Sequence, residues 1–332
     1  MSDWLKEWAA ERGYQAAWVD YATLDNARNT IEDLAARDMI DKELYESMRK
    51  WGFSYRPKEG SEDLTTGIIV SIPRPHHYIV FETAEGPFRA VLPATYLQYG
   101  GLRDKVRDEL ESRVAELFPS AGYRFENMSA HYKSVAARTS IVTYGRNNIT
   151  YAEGCGSSHQ LLGFFTNAKP PMPVEMVDPE KAFGHAGNSA MCLGCDACVR
   201  ACPTGALTGD RFTIHASRCV THLNEYRGPW PEWLSPMVHN SIVGCMRCQE
   251  VCPRNEGHLV FEEAPESFTR EETEAILATA EAGESTSAEW VRPEGPVWES
   301  IAKKLTTLGQ LQMESFLGRN LKALMEAGTA PR

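Results

Sequence analysis

Cysteine placement constrains this chain more than any other feature of its sequence. Eight of the nine cysteines lie between Cys192 and Cys252, and only Cys155 stands apart. The N-terminal residues lack the basic and apolar regions of an export signal, so we expect a cytoplasmic, reducing compartment. Disulfides are rare in such a compartment, and clustered cysteines there more often bind metal. The cysteine-rich segment is therefore predicted to bind metal.

The spacing of these cysteines predicts two iron–sulfur clusters. The first set has the Cys-x2-Cys-x2-Cys-x3-Cys-Pro spacing of bacterial ferredoxins, in which the fourth cysteine ligates the other cluster. The second set repeats the Cys-x2-Cys-x3-Cys-Pro ending, with its first cysteine displaced by an insertion. Structural zinc on the Cys-x2-Cys pairs is the alternative, but zinc does not explain two such endings. The predicted [4Fe–4S] ligands are Cys192, Cys195, Cys198 and Cys252 for the first cluster, and Cys202, Cys219, Cys245 and Cys248 for the second.

Hydrophobic periodicity predicts a chain of mixed helices and strands. No run of about 18 apolar residues occurs, so we expect no membrane span. The first 55 residues have helical spacing, and the Glu-rich run after residue 256 is predicted to be a solvated helix face. The other predicted elements are a buried strand over 67–72 that ends at Pro73, strands over 77–82 and 88–92, an amphipathic helix over 103–117 and an apolar run over 161–165.

The residues around the second cysteine set resemble one family. The segments 218–223, 226–229 and 244–245 are similar to the corresponding region of epoxyqueuosine reductases, which are cobalamin-dependent iron–sulfur enzymes related to reductive dehalogenases. The likeness extends upstream, more weakly, to about residue 60. It is carried there by the segments 65–73, 133–138, 145–147, 156–157 and 161–166.

The resemblance implies a fold and two kinds of cofactor. The implied fold is α+β, with a nitroreductase-like α/β corrinoid-binding domain, a bacterial-ferredoxin-like two-cluster domain and a short helical tail. Electrons would pass from an external low-potential donor, a ferredoxin or flavodoxin, through the clusters to the cobalt of cobalamin. The implied divisions are a helical segment over 1–58, the corrinoid domain over 59–184, the cluster domain over 185–262 and an acidic tail over 263–332.

The resemblance also implies where cobalamin is bound. Arginine suits the phosphate of the corrinoid nucleotide loop, and glycines permit close approach of the main chain. Surface charge is the alternative role for the basic side chains. The predicted cofactor-binding residues are Lys133, Arg138, Gly145, Arg146, Asn147, Gly156, Ser157 and His159.

Four residues are candidates for catalysis. Tyr96 and Tyr99 lie near the position of the family's proton donor and could protonate a product, although both could be ordinary half-buried aromatic residues. Asp104 is the nearest carboxylate to that position, and its alternative role is in the first turn of a helix. Cys155, in a Gly-Cys-Gly-Ser loop, is either a thiol near the substrate or a buried residue with no chemical role.

Three departures from the family pattern predict a changed substrate. Residues 140–143 replace its glycine-rich motif, residues 102–104 lack its Asp-Tyr-His motif, and only 317–321 echoes its C-terminal repeat. The net charge of −11 also lacks the basic footprint of RNA-binding proteins. We therefore predict a corrinoid-dependent reductase of a small molecule, with tRNA an unlikely partner. The alternatives are a tRNA epoxyqueuosine reductase and a non-catalytic two-cluster electron carrier.

Overall fold

Internal packing divides the chain into two units. The first unit comprises Met1–Pro73, Gly101–Asp196 and Leu207–His215, and the second comprises Arg74–Gly100, Ala197–Ala206 and Ala216–Arg332. The computed structural model describes residues 3–50, 52–97, 101–178, 190–192, 194–209, 211, 213–281 and 290–328. Neither unit is continuous in sequence, whereas the predicted divisions are continuous stretches.

A four-stranded antiparallel sheet organises the first unit. Its strands, in spatial order, are β1 (Gln15–Val19), β2 (Thr66–Pro73), β8 (His159–Thr166) and β5 (Phe125–Asn127). The two longest strands, β2 and β8, therefore lie at its centre. A two-stranded hairpin of β6 (Thr143–Tyr144) and β7 (Thr150–Tyr151) is separate from this sheet. The helices of this unit are α1 (Trp4–Ala10), α2 (Tyr21–Ala36), α3 (Lys42–Lys50), α4 (Leu102–Leu117) and α5 (Tyr132–Ala137).

Helices cover both faces of this central sheet. Successive side chains of a strand point to opposite faces. Accordingly, Ile68 and Val70 of β2 enter a core with α1 and α4, whereas Ile69 enters a second core with α2 and α5. Burial on both faces explains why the sequence of β2 is largely apolar and lacks the polar alternation of a half-exposed strand.

A smaller sheet and three helices form most of the second unit. Strand β3 (His76–Thr83) pairs antiparallel with β4 (Gly86–Leu92) and parallel with β9 (Phe261–Glu263). Ile79 and Phe81 of β3 pack with Ile276, Ile301 and Leu321 of the C-terminal helices. Those helices are α9 (Arg270–Leu277), α10 (Pro296–Thr307) and α11 (Leu317–Ala327), and the cysteine segments contribute α6 (Ala197–Ala201), α7 (Val220–Asn224) and α8 (Arg247–Glu250).

The structure confirms the predicted strands β2, β3 and β4 and the helix α4, and the apolar run over 161–165 forms most of strand β8. The prediction that the first 55 residues are helical is wrong for β1. This strand contains two alanines, which favour helix by intrinsic propensity, yet it pairs with β2 from Gln15 opposite Ser71 to Val19 opposite Gly67. Tertiary pairing therefore overrides the local preference.

The acidic C-terminal region is only partly a solvated face. Glu271 and Glu274 are exposed, as predicted, but Glu272 is buried. Glu272 closes a capping box with Thr269 at the start of α9 and forms an ion pair of 2.6 Å with Lys304. The Glu272 carboxylate therefore joins α9 to α10. The prediction of a solvated face is wrong for Glu272, because this residue lies in the first turn of α9, where its side chain caps the helix.

Close packing of α11 on α9 yields a testable prediction at Gly318. A Cβ atom at this position would lie 2.3 Å from the main-chain oxygen of Ile276, so the two helices would have to separate. We expect Gly318→Ala to lower the free energy of unfolding by about 2 kcal/mol. Thermal unfolding followed by circular dichroism measures this change. Lys322→Ala, on the exposed side of α11, is the matched control, and an equal melting temperature for both variants would contradict the prediction.

Candidate iron–sulfur centre

All four cysteines predicted to ligate the second cluster belong to the second unit. Cys202 follows α6, Cys219 directly precedes α7, and Cys245 and Cys248 lie just before and within α8. Each of the four is half-buried and none forms a disulfide. Short helices therefore present the thiols from four different points of the chain.

The four thiols lie close enough to perturb one another. Burial raises the pKa of Cys245 to about 12, and the nearby Cys219 and Cys202 add to this rise. Burial also raises the pKa of Cys248 well above its usual value, with further contributions from Cys245, Cys219, Cys198 and Cys202. Four buried thiolates would repel one another in the absence of a positive charge. A cluster with a cationic iron core supplies that charge, so the residues fit a [4Fe–4S] group.

Main-chain N–H groups point at the sulfur atoms of this set. The N–H groups of Thr221 and His222 donate hydrogen bonds to the Cys219 sulfur, and that of Arg247 donates to the Cys245 sulfur. These bonds favour the thiolate and offset part of the effect of burial on the pKa. Hydrogen bonds to the ligand sulfurs are among the features that set the reduction potential of such clusters.

In the described part of the chain, no three His, Cys, Asp or Glu side chains converge on a position for a single ion. A four-iron cube is bound by thiolates that each reach a different iron atom. The fit of the second set to a cluster therefore depends on the grouping of its thiols and on their amide donors.

The first cysteine set is divided between the two units. Cys192 and Cys195 belong to the first unit, whereas Cys198 and Cys252 belong to the second. Within the first unit, the main-chain N–H of Arg146 donates to the Cys192 sulfur over 3.4 Å. Arg146 is a predicted cofactor-binding residue, and this contact places its main chain beside a predicted cluster ligand.

Tyr96 lies beside the second cysteine set. Its hydroxyl donates a hydrogen bond to the Glu225 carboxylate. Burial raises the pKa of Tyr96 well above its usual value, and the charges of Glu225, Cys219 and Cys245 add to the effect. Burial also raises the pKa of Glu225. Tyr96 is therefore protonated at neutral pH, and its assignment as a proton donor stays a prediction.

The other candidates near the predicted proton donor are placed differently. Tyr99 lies outside the described residues. Asp104 lies in the first turn of α4, is exposed, and forms an ion pair of 2.8 Å with Arg107. This is the location that the alternative role of Asp104 requires, because acidic residues are favoured at helix N-termini.

Cys155 lies in a tight turn of the first unit. The turn is bridged by Ala152 and Gly156, and the side chain of Cys155 is buried. Burial raises the pKa of its thiol to about 11. A thiol with such a pKa is almost entirely protonated at neutral pH and is a poor nucleophile.

Slow alkylation of Cys155 is the expected consequence. At pH 8 only about one thiol in a thousand is ionised, so iodoacetamide should label Cys155 about a hundredfold faster at pH 10. Peptide mass spectrometry on cluster-loaded protein measures this rate. Glutathione is the reference thiol, and labelling of Cys155 at pH 8 as fast as that of glutathione would contradict the prediction.

Two of the predicted cofactor-binding cations form hydrogen bonds within the first unit. The Lys133 ammonium donates to the main-chain oxygen of Asn148 over 3.1 Å. Arg138 is fully buried, and its guanidinium donates to Asn26 Oδ1 over 2.7 Å and to the main-chain oxygen of Ser134 over 2.6 Å. Burial lowers the pKa of Arg138 to about 10. Arg138 thereby joins α2 to α5 and is not a surface charge.

The other predicted cofactor-binding residues lie in and around the β6-β7 hairpin. Gly145 is closely packed, because a Cβ there would lie 2.7 Å from both Asn147 and Tyr151. The Asn147 amide donates to the Tyr151 hydroxyl over 2.8 Å. His159 is buried, with Nδ1 3.0 Å from the Ser71 hydroxyl. Gly156 and Ser157 follow Cys155 in the buried turn. Their assignment to a cofactor stays a prediction.

Three residues around the second cysteine set were missed by sequence reasoning. Glu225 accepts the Tyr96 hydrogen bond, and Asn224 and Asn320 form buried hydrogen bonds next to Cys245. Asn320 belongs to the segment 317–321, which resembles the C-terminal repeat of the family. The similarity of this segment to the family draws attention to Asn320, but it does not indicate that the side chain forms hydrogen bonds inside the protein.

Comparisons with known proteins identify the family. The family described as a 4Fe-4S double cluster binding domain matches residues 191–255. The epoxyqueuosine reductase of Salmonella typhimurium is 40% identical over 274 residues, which cover 78% of this chain and 66% of that protein. The chain belongs to the epoxyqueuosine reductase-like family. The epoxyqueuosine reductase of Shewanella oneidensis is 25% identical, and the match covers 76% of this chain but only 63% of the length of that relative.

Solved epoxyqueuosine reductases share the fold. The Bacillus subtilis structure matches with a TM-score of 0.62 and 20% identity, covering 98% of this chain and 81% of that one. A crystal structure of an epoxyqueuosine reductase with an epoxyqueuosine-modified tRNA stem loop matches with a TM-score of 0.58 and 17% identity, covering 97% and 80%. The chain therefore has the mixed α and β fold of epoxyqueuosine reductases.

The family contradicts the prediction of a small-molecule substrate. The relatives are epoxyqueuosine reductases, and the prediction relied on three departures from their motifs. One of the three, the segment 317–321, has its Arg319 and Asn320 side chains buried. Its residue types therefore serve internal packing and do not report on the substrate.

The prediction that tRNA is an unlikely partner is also contradicted. A solved epoxyqueuosine reductase was crystallised with a modified tRNA stem loop. The error lies in the use of net charge, which counts every residue, whereas phosphate contacts depend on the local surface.

Within the residues that the structure describes, no helix is long and apolar enough to cross a membrane.

Proposed function

We propose that this chain is an epoxyqueuosine reductase that acts on the modified nucleoside within tRNA. The observation that carries the proposal is the 40% identity to the Salmonella typhimurium epoxyqueuosine reductase over 78% of this chain. The solved relative with an epoxyqueuosine-modified tRNA stem loop supports a macromolecular substrate. The grouping of Cys202, Cys219, Cys245 and Cys248 supports an electron-transfer role for the second unit.

The proposed reaction requires two electrons. Removal of an epoxide oxygen as water leaves a carbon–carbon double bond and consumes two electrons and two protons. A [4Fe–4S] cluster transfers one electron at a time, so two clusters can hold the pair that one turnover needs. The proposal assigns the clusters to the cysteine segments between residues 191 and 255 and the reduction of the nucleoside to the first unit.

Cobalamin is part of the proposal through the family resemblance. When bound, it would supply a strongly reducing cobalt centre. The residues of the first unit fit it only in part, because the polar atoms of Arg138, Asn147 and His159 form hydrogen bonds within the unit. Lys133, which is only half-buried although its ammonium also bonds the Asn148 oxygen, and Arg146 remain the proposed contacts, whereas the N–H and oxygen of Gly156 are both bonded to Ala152. Co-elution of added hydroxocobalamin with the protein, measured by absorbance, tests this part separately.

The activity is tested with tRNA that carries epoxyqueuosine. The chain is reconstituted anaerobically with iron and sulfide, given hydroxocobalamin and a chemical reductant, and incubated with the tRNA. Nucleoside mass spectrometry should show a product lighter by one oxygen atom. Binding of the tRNA should weaken as salt rises, since phosphate contacts release counterions.

The control reactions separate the proposed activity from its alternative. Free epoxyqueuosine nucleoside and tRNA without the modification should give no comparable product. A protein that holds both clusters and reduces a partner protein, but neither binds nor changes the modified tRNA, would contradict the proposal and favour the electron carrier.

A further inference from the structure

One buried side chain connects the two segments that carry Cys219 and Cys245. Asn224 ends α7, the helix that begins after Cys219, and it is fully buried. Its Oδ1 accepts a hydrogen bond from the Gly244 N–H over 2.9 Å, and its Nδ2 donates to the Gly244 oxygen over 2.7 Å. Gly244 immediately precedes Cys245, so this pair of bonds holds the two ligand segments together.

A second asparagine, on the C-terminal helix, holds the same segments from the other end of the sequence. Asn320 of α11 is 1% exposed, and its Nδ2 donates to the main-chain oxygens of Asn224 and Ile242, each over 2.8 Å. Both donor hydrogens of its amide are therefore used. This one amide group therefore binds two main-chain carbonyls, which lie on either side of the Asn224–Gly244 contact.

The neighbouring arginine fixes the orientation of the Asn320 amide. Arg319 donates to Asn320 Oδ1 from Nε over 3.2 Å and from Nη2 over 3.0 Å. Its Nη1 donates to the main-chain oxygen of Gly228, and the guanidinium lies 4.5 Å from the centre of the Trp230 ring. A buried arginine with these partners leaves Asn320 only one orientation in which its NH2 group faces the two carbonyls.

The main chain before Cys245 is also restricted on its other side. Gly244 has a φ of +75°, which favours glycine, and a Cβ there would lie 2.8 Å from the ring of Tyr96. The segment therefore has a single conformation, bounded by Asn224 and Tyr96. Because Cys245 follows directly, the direction of its sulfur depends on that conformation.

We propose that Asn224 and Asn320 are positioning residues for the second [4Fe–4S] cluster, so that the C-terminal helix controls how firmly Cys219 and Cys245 hold it. The inference rests on the two-cluster part of the proposed function and not on the substrate. Neither asparagine touches the cluster; both act through the main chain. Partners that orient metal ligands commonly change metal affinity when they are replaced.

The experiment compares four variants of the full chain after anaerobic reconstitution. Asn224→Ala and Asn320→Ala remove the contacts, and Asn320→Asp keeps the shape but presents an oxygen atom to the two carbonyls. Leu324→Ala removes a buried side chain of the same helix without touching the network. Iron content, the electron paramagnetic resonance spectrum of the reduced protein, the midpoint potentials and the melting temperature are measured for each.

The expected result is a selective loss. The three asparagine variants should fall from about eight irons per chain toward about four, or keep the second cluster with a shifted spectrum and potential. Asn320→Asp should resemble Asn320→Ala, because the donor and not the volume is decisive. Leu324→Ala should melt at a lower temperature while it retains both clusters and their spectrum.

Three outcomes would overturn the inference. One is unchanged iron, spectrum and potential in the asparagine variants. Another is an equal loss of the second cluster in Leu324→Ala, which would make the helix a merely structural support. The third is a wild-type chain without a second cluster. None of these measurements needs tRNA, so a chain with both clusters but no activity would contradict the proposed function and leave this inference intact.

Discussion

Replacement of Cys245 by serine is expected to remove about four of about eight irons per chain and to lower turnover by more than about a hundredfold. Cys245 is a predicted ligand of the second set, with neighbours Cys219 and Cys202 and an amide donor from Arg247. A serine oxygen is a poor ligand for a cluster that prefers thiolates. The loss of one ligand should therefore empty this site while the first cluster stays bound.

Cys155→Ser is the matched control for this variant. Cys155 is the one cysteine outside the two sets, and it lies buried in a turn of the first unit. The control should retain about eight irons and both spectroscopic signals. Iron assays and spectra of the reduced proteins make the comparison. Equal iron contents in the Cys245 and Cys155 variants would show that Cys245 is not a ligand.

Replacement of Arg138 by alanine should lower the free energy of unfolding by about 3 kcal/mol. Its guanidinium bonds Asn26, Ser134 and Thr30, and the side chain is fully buried. The variant would leave several buried acceptors without a donor between α2 and α5. Urea unfolding of the apoprotein, followed by circular dichroism, measures the change.

Two further variants separate a structural role of Arg138 from a role in cofactor binding. Arg138→Lys keeps the charge but loses the planar fork of donors, so it should recover less than half of the lost stability. Lys133→Ala removes a partly exposed cation and should leave stability within about 0.5 kcal/mol of the wild type. A stable Arg138→Ala protein that fails to bind hydroxocobalamin would contradict the structural assignment.

The sequence predicts those parts of the fold whose signals are local. Strand β2 is apolar except for Thr66 and Ser71 and ends at Pro73, and α4 has its apolar residues at helical spacing. The cysteine spacing likewise predicts the clusters, because a ferredoxin motif is short and each position has a chemical requirement. In all three cases the residues that carry the signal are close together in the chain.

The sequence fails where distant segments decide the structure. The predicted domain over 59–184 includes strand β3, yet this strand pairs with Phe261 and packs with Ile276 and Leu321 in the second unit. No sequence pattern near residue 76 indicates that this strand pairs with a segment so far along the chain. The buried network of Asn320 has the same character, since its two acceptors, Asn224 and Ile242, are 96 and 78 residues away.

Charge was a poor guide to the partner for a related reason. A count of acidic residues treats Glu272 like an exposed side chain, although it is buried and paired with Lys304. It also treats Arg319 as available to phosphate, although Arg319 is 2% exposed and bonded to Asn320. Burial must therefore be known before charge is used to argue for or against RNA.

The most direct test of the central claim is a single-turnover measurement. The reconstituted, corrinoid-supplied chain is reduced and freed of excess reductant, so that each of its two clusters carries one electron, and is then mixed with epoxyqueuosine-containing tRNA. The account predicts about one queuosine for every two electrons stored on the clusters and the corrinoid together, because one epoxide consumes two electrons, and little product from Cys245→Ser. Absence of queuosine, or an equal yield from wild type and Cys245→Ser, would contradict it.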